Sequence, residues 1–519
     1  MFCEKIDLSE TGHFQKIFLD YLAGKPELRP FYQFTPDIDS FKECIGKRQM
    51  DTSSRKILVS AILDQYGTLK TPEKVSANIK QLENVKTFTV TTGHQLNLFT
   101  GPLYFIYKII TVINICRLLK EKYPDYHFVP VYWMASEDHD LDEIRSFTLF
   151  GNTYSWETSQ TGPVGRMDPS SIKTLLEQIP ESLSLFEIAY TQFTKLADSV
   201  RYYVNELFGS YGLVVIDGDH HGLKQQFTDI IKDDLANHHA NDLVENTSAR
   251  LTDLGYGAQV YPRAINLFYM NDKMRGRLVR EEGTYKVLDT KHSFTGEEMI
   301  SLADNSPAFF SPNVILRPVY QERILPNIAY IGGPAEVAYW LQLKDVFDYY
   351  EIPFPVVIPR NFAMIIGKNL HKKVKKLMIK GKDLFLNDQN LKSRYLEEHA
   401  GYNFSLESER KIMEEIFESI QNKTRAVDQS LEGFIGAQKA KVLKEIENIE
   451  KRLEKAEERK HETGIKQIES LKERLFPDGK LQERVENFLS FYINDPEFIN
   501  SICEQLDPFE FKLNICYEE

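Results

Sequence analysis

From Thr87 onward, short apolar runs alternate with stretches whose apolar positions recur at helical spacing, a pattern that predicts a parallel sheet covered by helices. The runs expected as strands are 87–92, 128–135, 213–217, 314–320, 327–331 and 355–358. Helices are expected between them at 102–120, 222–236 and 335–349, the last behind a Gly332-Gly333-Pro334 turn that suits a helix start. This is the syntax of an α/β, Rossmann-like core.

Two segments break the alternation. Residues 245–312 are turn-rich, with Gly255, Gly257, Gly276 and Gly283, and are expected as an inserted connecting subdomain; 151–202 is a smaller insertion. The core then comprises 87–244 and 313–370, with 1–86 packing on it. From 371 to 519 the chain becomes charged and helical. Val442, Ile446, Ile449, Leu453 and Ala456 recur at intervals of four, three, four and three, the apolar seam of a coiled coil with Lys and Glu outside. With Gly464 as a break, the expectation is a helical hairpin that also mediates a homodimer; a solvated amphipathic helix packed on its own domain is the other reading.

Composition narrows the class. The 519 residues are 42% hydrophobic, ample for two to four domains, and carry a formal net charge of −13, which speaks against a nucleic-acid binder and for small-molecule partners. Five cysteines, Cys3, Cys44, Cys116, Cys503 and Cys516, are scattered without C-x-x-C spacing; they suggest reduced thiols, not a disulfide framework or a zinc site. The first ten residues lack a basic region followed by an apolar run, and the most apolar helical stretch, 103–119, is interrupted by Lys108, Asn114 and Arg117. A cytoplasmic protein without a membrane partner is expected.

Three segments carry candidate chemistry. In TTGHQLNLFTGPLYFIYK a strand enters a loop and then a helix that Thr100 can cap and Pro102 can open, leaving free N–H groups above the sheet for an anion. Gly93, His94, Gln95, Thr100 and Gly101 crowd that strand end, and Tyr104, Lys108 and Thr111 draw a polar stripe along an otherwise apolar helix. In VPVYWMASEDHDLDEI an apolar strand ends in Glu137, Asp138, His139, Asp140, Asp142 and Glu143, carboxylates whose mutual repulsion calls for a cation, either a substrate ammonium, an arginine or a metal. An acidic, solvated helix cap would look the same. The third segment gathers Asn313, Arg317, Gln321 and Glu322 before Gly332 and Gly333, with Glu336 and Tyr339 three apart on the following helix; its arginine suits a carboxylate or phosphate. Asp217, at the end of LVVID, is a strand-end carboxylate of the kind that contacts ligands, whereas His220-His221 and His238-His239 are expected as surface histidines.

Together these segments resemble the bacillithiol-biosynthesis cysteine-adding family. The family's T-G-x-Q…F-T-G-P-L-Y…Y-K falls at 92–108, A-S-E-D-H-D…E at 135–143, S-P-N…L-R-P at 311–318, Y-x-G-G-P-x-E-x-A-Y at 330–339, and its tail at 475–485 as LFPDGKLQERV. His94 stands where many members have Gln. The resemblance implies a Rossmann core related to class I aminoacyl-tRNA synthetases and nucleotidylyltransferases, a coiled-coil dimerisation region, and condensation of L-cysteine with glucosaminyl-malate. In the roles it implies, Gly93, His94, Gln95, Thr100, Gly101, Gly332 and Gly333 bind the phosphates of ATP, the activating reagent such relatives use. Glu137 and Asp140 hold an amine with Asn313, Gln321, Glu336 and Tyr339 around the substrate, Asp138 or His139 takes its proton, and Lys108 and Arg317 neutralise carboxylates or phosphates. A lysine-rich second synthetase signature is missing, so activation through an adenylate rests on fold analogy. No tightly bound metal is expected. Two other readings stay open: an ATP-dependent or nucleotidylyltransferase-like ligase acting on a different amine, and a non-catalytic coiled-coil scaffold.

Overall fold

A computed structural model describes residues 1–399 and 405–518. Its centre is a five-stranded parallel sheet of β1 (Thr87–His94), β2 (His127–Met134), β3 (Val214–Asp217), β4 (Asn327–Gly332) and β5 (Val356–Pro359), in spatial order β5-β4-β1-β2-β3. The chain steps outward from β1 to β3 and then restarts on the other side with β4, so the strand order reverses between β1 and β4. A crevice opens above the carboxyl ends of strands at such a point. Every residue of β1 and β4 is buried, which is why both segments are nearly without charge. The hydroxyls this buries in β1 find acceptors: Thr89 and Thr91 donate to Asn327 Oδ1 at 3.0 and 2.8 Å, and Thr92 to the Ile331 carbonyl at 2.8 Å.

Helix α1 (Tyr104–Lys122) lies against β1 and β2 and buries residues on all sides, Lys108, Thr111 and Asn114 among them. Thr111 turns from the site: it donates to Tyr107 O and bonds Asn361 Oδ1. The run 314–320, expected as a strand, is instead the start of helix α2 (Leu316–Ile324). Asn313 explains the difference, because its Oδ1 accepts the N–H groups of Ile315 and Leu316 at 2.9 and 3.3 Å, and Pro318 falls in the opening turn where a missing N–H costs nothing. Arg317 and Gln321 are therefore one turn apart on a helix rather than on strand registers. Helix α3 (Pro334–Trp340) follows the double glycine, ending sooner than expected before a separate helix at Lys344–Tyr349.

The inserted region forms an antiparallel sheet of five short strands between Leu267 and Pro312, with a capped helix at Gly296–Asn305. Beyond the core, α4 (Glu407–Val427) and α5 (Glu432–Lys460) make a helical hairpin, and α6 (Glu462–Leu475) returns toward the body. The break after α5 comes at His461; Gly464 lies inside α6, where a Cβ would collide with the Tyr395 hydroxyl.

A third sheet corrects the expectation of five free thiols. Phe2–Asp7 pairs antiparallel with Lys512–Tyr517, which lies parallel to Phe362–Ile366, and this register sets Cys3 opposite Cys516 in a disulfide. A separation of 513 residues hides that pairing from any spacing argument. Cys44, Cys116 and Cys503 are free. Among the described residues no helix is long and apolar enough to cross a membrane, and no three His, Cys, Asp or Glu side chains gather as a metal site would need.

Candidate active site

A cavity of 580 Å³ lies at the reversal point, over the ends of β1, β2 and β4 and roofed by the inserted sheet. Lys108 stands at its floor. Its ammonium donates to the Gly93 carbonyl at 2.8 Å and pairs with Glu336 at 2.5 Å, tying α1 to the end of β1 and to α3. Glu336 also accepts from Tyr330 Oη at 2.5 Å and from Gly333 N at 2.8 Å. Burial works to raise its pKa, but the charge of Lys108 and these hydrogen bonds outweigh that and hold the carboxyl below its usual range.

Arg317 projects from α2 so close to Gly93 that a Cβ there would sit 3.4 Å from its guanidinium. Its hydrogen-bond partners are neutral, Gln321 Oε1 at 3.0 Å and Tyr339 Oη at 3.4 Å, and the carboxylate whose charge acts on it, Glu336, is shared with Lys108. Arg360 also lines the cavity, between the rings of Tyr104 and Phe362, but Glu483 neutralises it at 2.6 Å. Arg484 is exposed at the rim.

The acidic loop after β2 forms the opposite wall. Glu137 pairs with the fully buried Lys224 and accepts from Ser311 Oγ at 2.8 Å. Asp138 accepts from Gln95 Nε2 at 2.9 Å and from His139 N at 2.8 Å, with Arg275 at 3.6 Å. Its burial alone would raise the pKa; the hydrogen bonds from His139 and Gln95 and the charge of Arg275 prevail and keep it strongly ionised. Arg275 reaches in from the inserted sheet, 3.9 Å above the Phe268 ring, donating to Ser311 Oγ, the Pro312 carbonyl and His139 Nδ1. Because arginine can only donate, that bond makes His139 Nδ1 an acceptor.

The residues singled out from sequence divide accordingly. Gly93, His94, Gln95, Lys108, Glu137, Asp138, Asn313, Arg317, Gly333, Glu336 and Tyr339 all line the cavity. His139 sits at its edge beside Asp138, Gln321 is buried behind Arg317, and Gly332 lies under Glu336. Asp140 faces away, capping a short helix through Glu143 N at 3.3 Å. Thr100 and Gly101 are buried outside the cavity, where Asn487 takes the carbonyls of Phe99 and Gly101. His220 approaches Asp64, and His239 bonds Asp233 and Tyr349; neither faces this cavity.

The backbone groups expected to hold ATP phosphates are already occupied: Gly101 N donates to Leu98 O, Leu103 N to Glu486 O and Gly333 N to Glu336. His94 is packed against Tyr104 and Phe105, and burial, reinforced by the charge of Lys108, pushes its pKa down to about 3, leaving a neutral ring. Gly101, Leu103 and Gly333 therefore offer no free N–H group to a phosphate.

Arg275, Arg360, Arg484 and Lys224 were not anticipated. Arg360 follows directly on β5, a strand end like the others, and Arg484 lies within the LFPDGKLQERV tail, so both carried a signal. Arg275 sits in a polar hairpin of the insertion and Lys224 in an ordinary helix; nothing in the sequence distinguishes them.

Comparison with known proteins identifies the two parts of the chain. Residues 1–361 match the family model "Bacillithiol biosynthesis BshC, N-terminal Rossmann-like domain", and residues 363–518 match "Bacillithiol biosynthesis BshC, C-terminal coiled-coil domain". The chain is 43% identical over 524 residues to a Flavobacterium psychrophilum protein named "Putative cysteine ligase BshC", covering 98% of each chain. It is 42% identical over 516 residues to a Cytophaga hutchinsonii protein of the same name, covering 99% of each. A solved structure described as a "putative arginyl t-RNA synthetase" from Campylobacter jejuni aligns over 81% of this chain and 89% of its own at 9% identity, with a TM-score of 0.21, too low to bear on the fold.

Proposed function

The chain belongs to the BshC family of bacillithiol biosynthesis, and from that membership we propose that it is a cysteine ligase that joins the carboxyl of L-cysteine to the amine of glucosaminyl-malate. The observation that carries the substrate assignment is one cavity lined both by Arg317, whose hydrogen-bond partners are neutral, and by Asp138, a strongly ionised carboxylate. A molecule with carboxylates at one end and an amine at the other suits that pair. Malate carboxylates would meet Arg317, and the sugar ammonium would meet Asp138. Held ionised by Gln95, His139 N and Arg275, Asp138 suits holding and orienting the amine better than abstracting its proton. Amide formation from a free carboxylate needs an activating reagent, so the assay is run with and without ATP, following both AMP and ADP.

The test is to delete the gene in its host and profile low-molecular-weight thiols and glucosaminyl-malate by mass spectrometry, with wild-type and Arg317→Ala alleles for complementation. Loss of bacillithiol with accumulation of glucosaminyl-malate, restored by the wild type, supports the proposal; unchanged levels of both refute it. With purified protein, Arg317→Ala is expected to raise KM for glucosaminyl-malate about 10- to 100-fold, the worth of hydrogen bonds to a charged group.

We also propose a homodimer through the helical hairpin. Ile412, Ile416 and Ile420 on α4 and Ile449 and Leu453 on α5 are between 38 and 56% exposed, a row of large apolar side chains that a second copy would cover.

A further inference from the structure

Asp234 lies on helix Thr228–Ala236, outside the cavity, and is fully buried. Among the described residues no cation pairs with its carboxylate. Both of its oxygens are instead taken by one residue: Oδ2 accepts from Asn266 N at 2.6 Å and Oδ1 from Asn266 Nδ2 at 3.1 Å. Asn266 is fully buried as well. Its Nδ2 also donates to the Arg263 carbonyl at 2.8 Å. Its Oδ1 accepts from Asn313 Nδ2 at 3.0 Å and from Arg263 N at 3.2 Å, and its carbonyl accepts from Asn313 N at 2.9 Å. Asn313 lines the cavity; with its Nδ2 turned to Asn266, its Oδ1 is left for the first N–H groups of α2, and its carbonyl takes Arg317 N at 2.8 Å.

An amide side chain donates on one side and accepts on the other, so it fits a buried place two ways round; an ionised carboxylate only accepts. Facing Asp234, Asn266 must present its Nδ2, which turns its Oδ1 to Asn313. Asn313 must then present its own Nδ2, which leaves its Oδ1 for α2. A neutral amide at position 234 would lift the first constraint and the rest with it. Asn266 could turn over, Asn313 would follow, and the start of α2 would face an N–H group in place of an acceptor. Burying a carboxylate without a cation is costly, and a neutral residue would avoid that cost, so what the position gains from the charge is a group that cannot donate. We propose that Asp234 is a positioning residue of the ligase reaction: through the fixed orientations of Asn266 and Asn313 it sets the start of α2 and so aims Arg317 at the carboxylates of the acceptor. This rests on the reading of Arg317 given above and adds to it a residue that lies outside the cavity.

The test is calorimetric titration of the full-length protein with glucosaminyl-malate, in wild type, Asp234→Asn, Arg317→Ala and the exchanged pair Asp234→Asn with Asn266→Asp. Burial raises the Asp234 carboxyl to about 7, so the titrations are run at about pH 8.5, and urea denaturation reads stability separately. Asp234→Asn is expected to weaken binding about tenfold. The exchanged pair is expected to restore it to within about twofold, because the group that only accepts then stands at position 266 and still meets Asn313 Nδ2. If Asp234→Asn fails to fold, Asn266→Ser carries the comparison, since it keeps the backbone bonds to Asp234 and Asn313 and removes only the side-chain link; it too should weaken binding about tenfold. Wild-type affinity in Asp234→Asn, with stability alone lowered and Arg317→Ala weakened, overturns the proposal and leaves the reading of Arg317 standing. Wild-type affinity in Arg317→Ala, or no binding by the wild type, overturns that reading and the proposal with it. An exchanged pair that binds no better than Asp234→Asn alone shows that the direction of the amides does not matter, and equally overturns it.

Discussion

Glu322 ties the site to the body of the protein through a chain of buried polar groups. It pairs with Arg48, the two side chains 0 and 2% exposed, accepts from Asn327 at 2.6 Å and from Gln321 at 2.9 Å, and through Gln321 it steadies Arg317. Breaking one side of such a pair leaves a buried charge alone, so Glu322→Ala is expected to lower stability by about 3 to 5 kcal/mol in urea denaturation. Arg317→Ala, with neutral partners and partial exposure, should cost about 1 kcal/mol or less while impairing acceptor binding. Asp217 makes a different prediction. Its carboxyl ionises near the ordinary 3.8 in the unfolded chain and at about 6 in the fold, so between pH 4 and 6 the folded chain keeps a proton the unfolded chain has lost. Its contribution to stability is therefore fully present below about pH 4 and falls by about 3 kcal/mol as pH rises through that window. Asp217→Asn removes this dependence, so stability measured at pH 4 and pH 7 should shift in the variant's favour at the higher pH; an unchanged difference would mean that the carboxyl is solvated. At this scale the sequence was informative wherever polar residues stood at strand ends, as at Gly93, Asp138 and Gly333. It was silent where a contact arrives from another sheet, as with Arg275.

Among elements, the parallel strands were legible because burial on both faces forces a continuous apolar run, and β1, β2, β4 and β5 lie within two residues of expectation at each end. The segment around Val314 misled because its β-branched residues outweighed an asparagine cap and a proline in the first turn, the two features that decide for α2. The coiled-coil seam was readable from periodicity, but its partner was not. Heptads specify a buried stripe without saying whether the second helix comes from the same chain. Within the chain, α4 packs on α5 and still leaves Ile416 and Ile449 exposed. Replacing Ile416 and Ile420 with Asp is expected to convert the proposed dimer to a monomer in sedimentation, with the helical circular dichroism retained. Sedimentation unchanged by both substitutions would move the interface elsewhere.

For the molecule as a whole, the sheet that joins residues 2–7 to 512–517 fastens the catalytic body to the end of the helical region. Thiol titration of the denatured, unreduced protein should find three reactive cysteines, Cys44, Cys116 and Cys503, rising to five on reduction. Cys3→Ser is expected to lower stability by about 2 to 4 kcal/mol, as loss of a cross-link does. Five thiols before reduction would show the two strands paired without the bond. This closure also bears on synthesis. Because Cys516 is translated 513 residues after Cys3, the first strand emerges from the ribosome and waits about half a minute to nearly two minutes for the neighbour that completes its ladder. During that interval its N–H and C=O groups form an unpaired edge, a template for pairing with another chain.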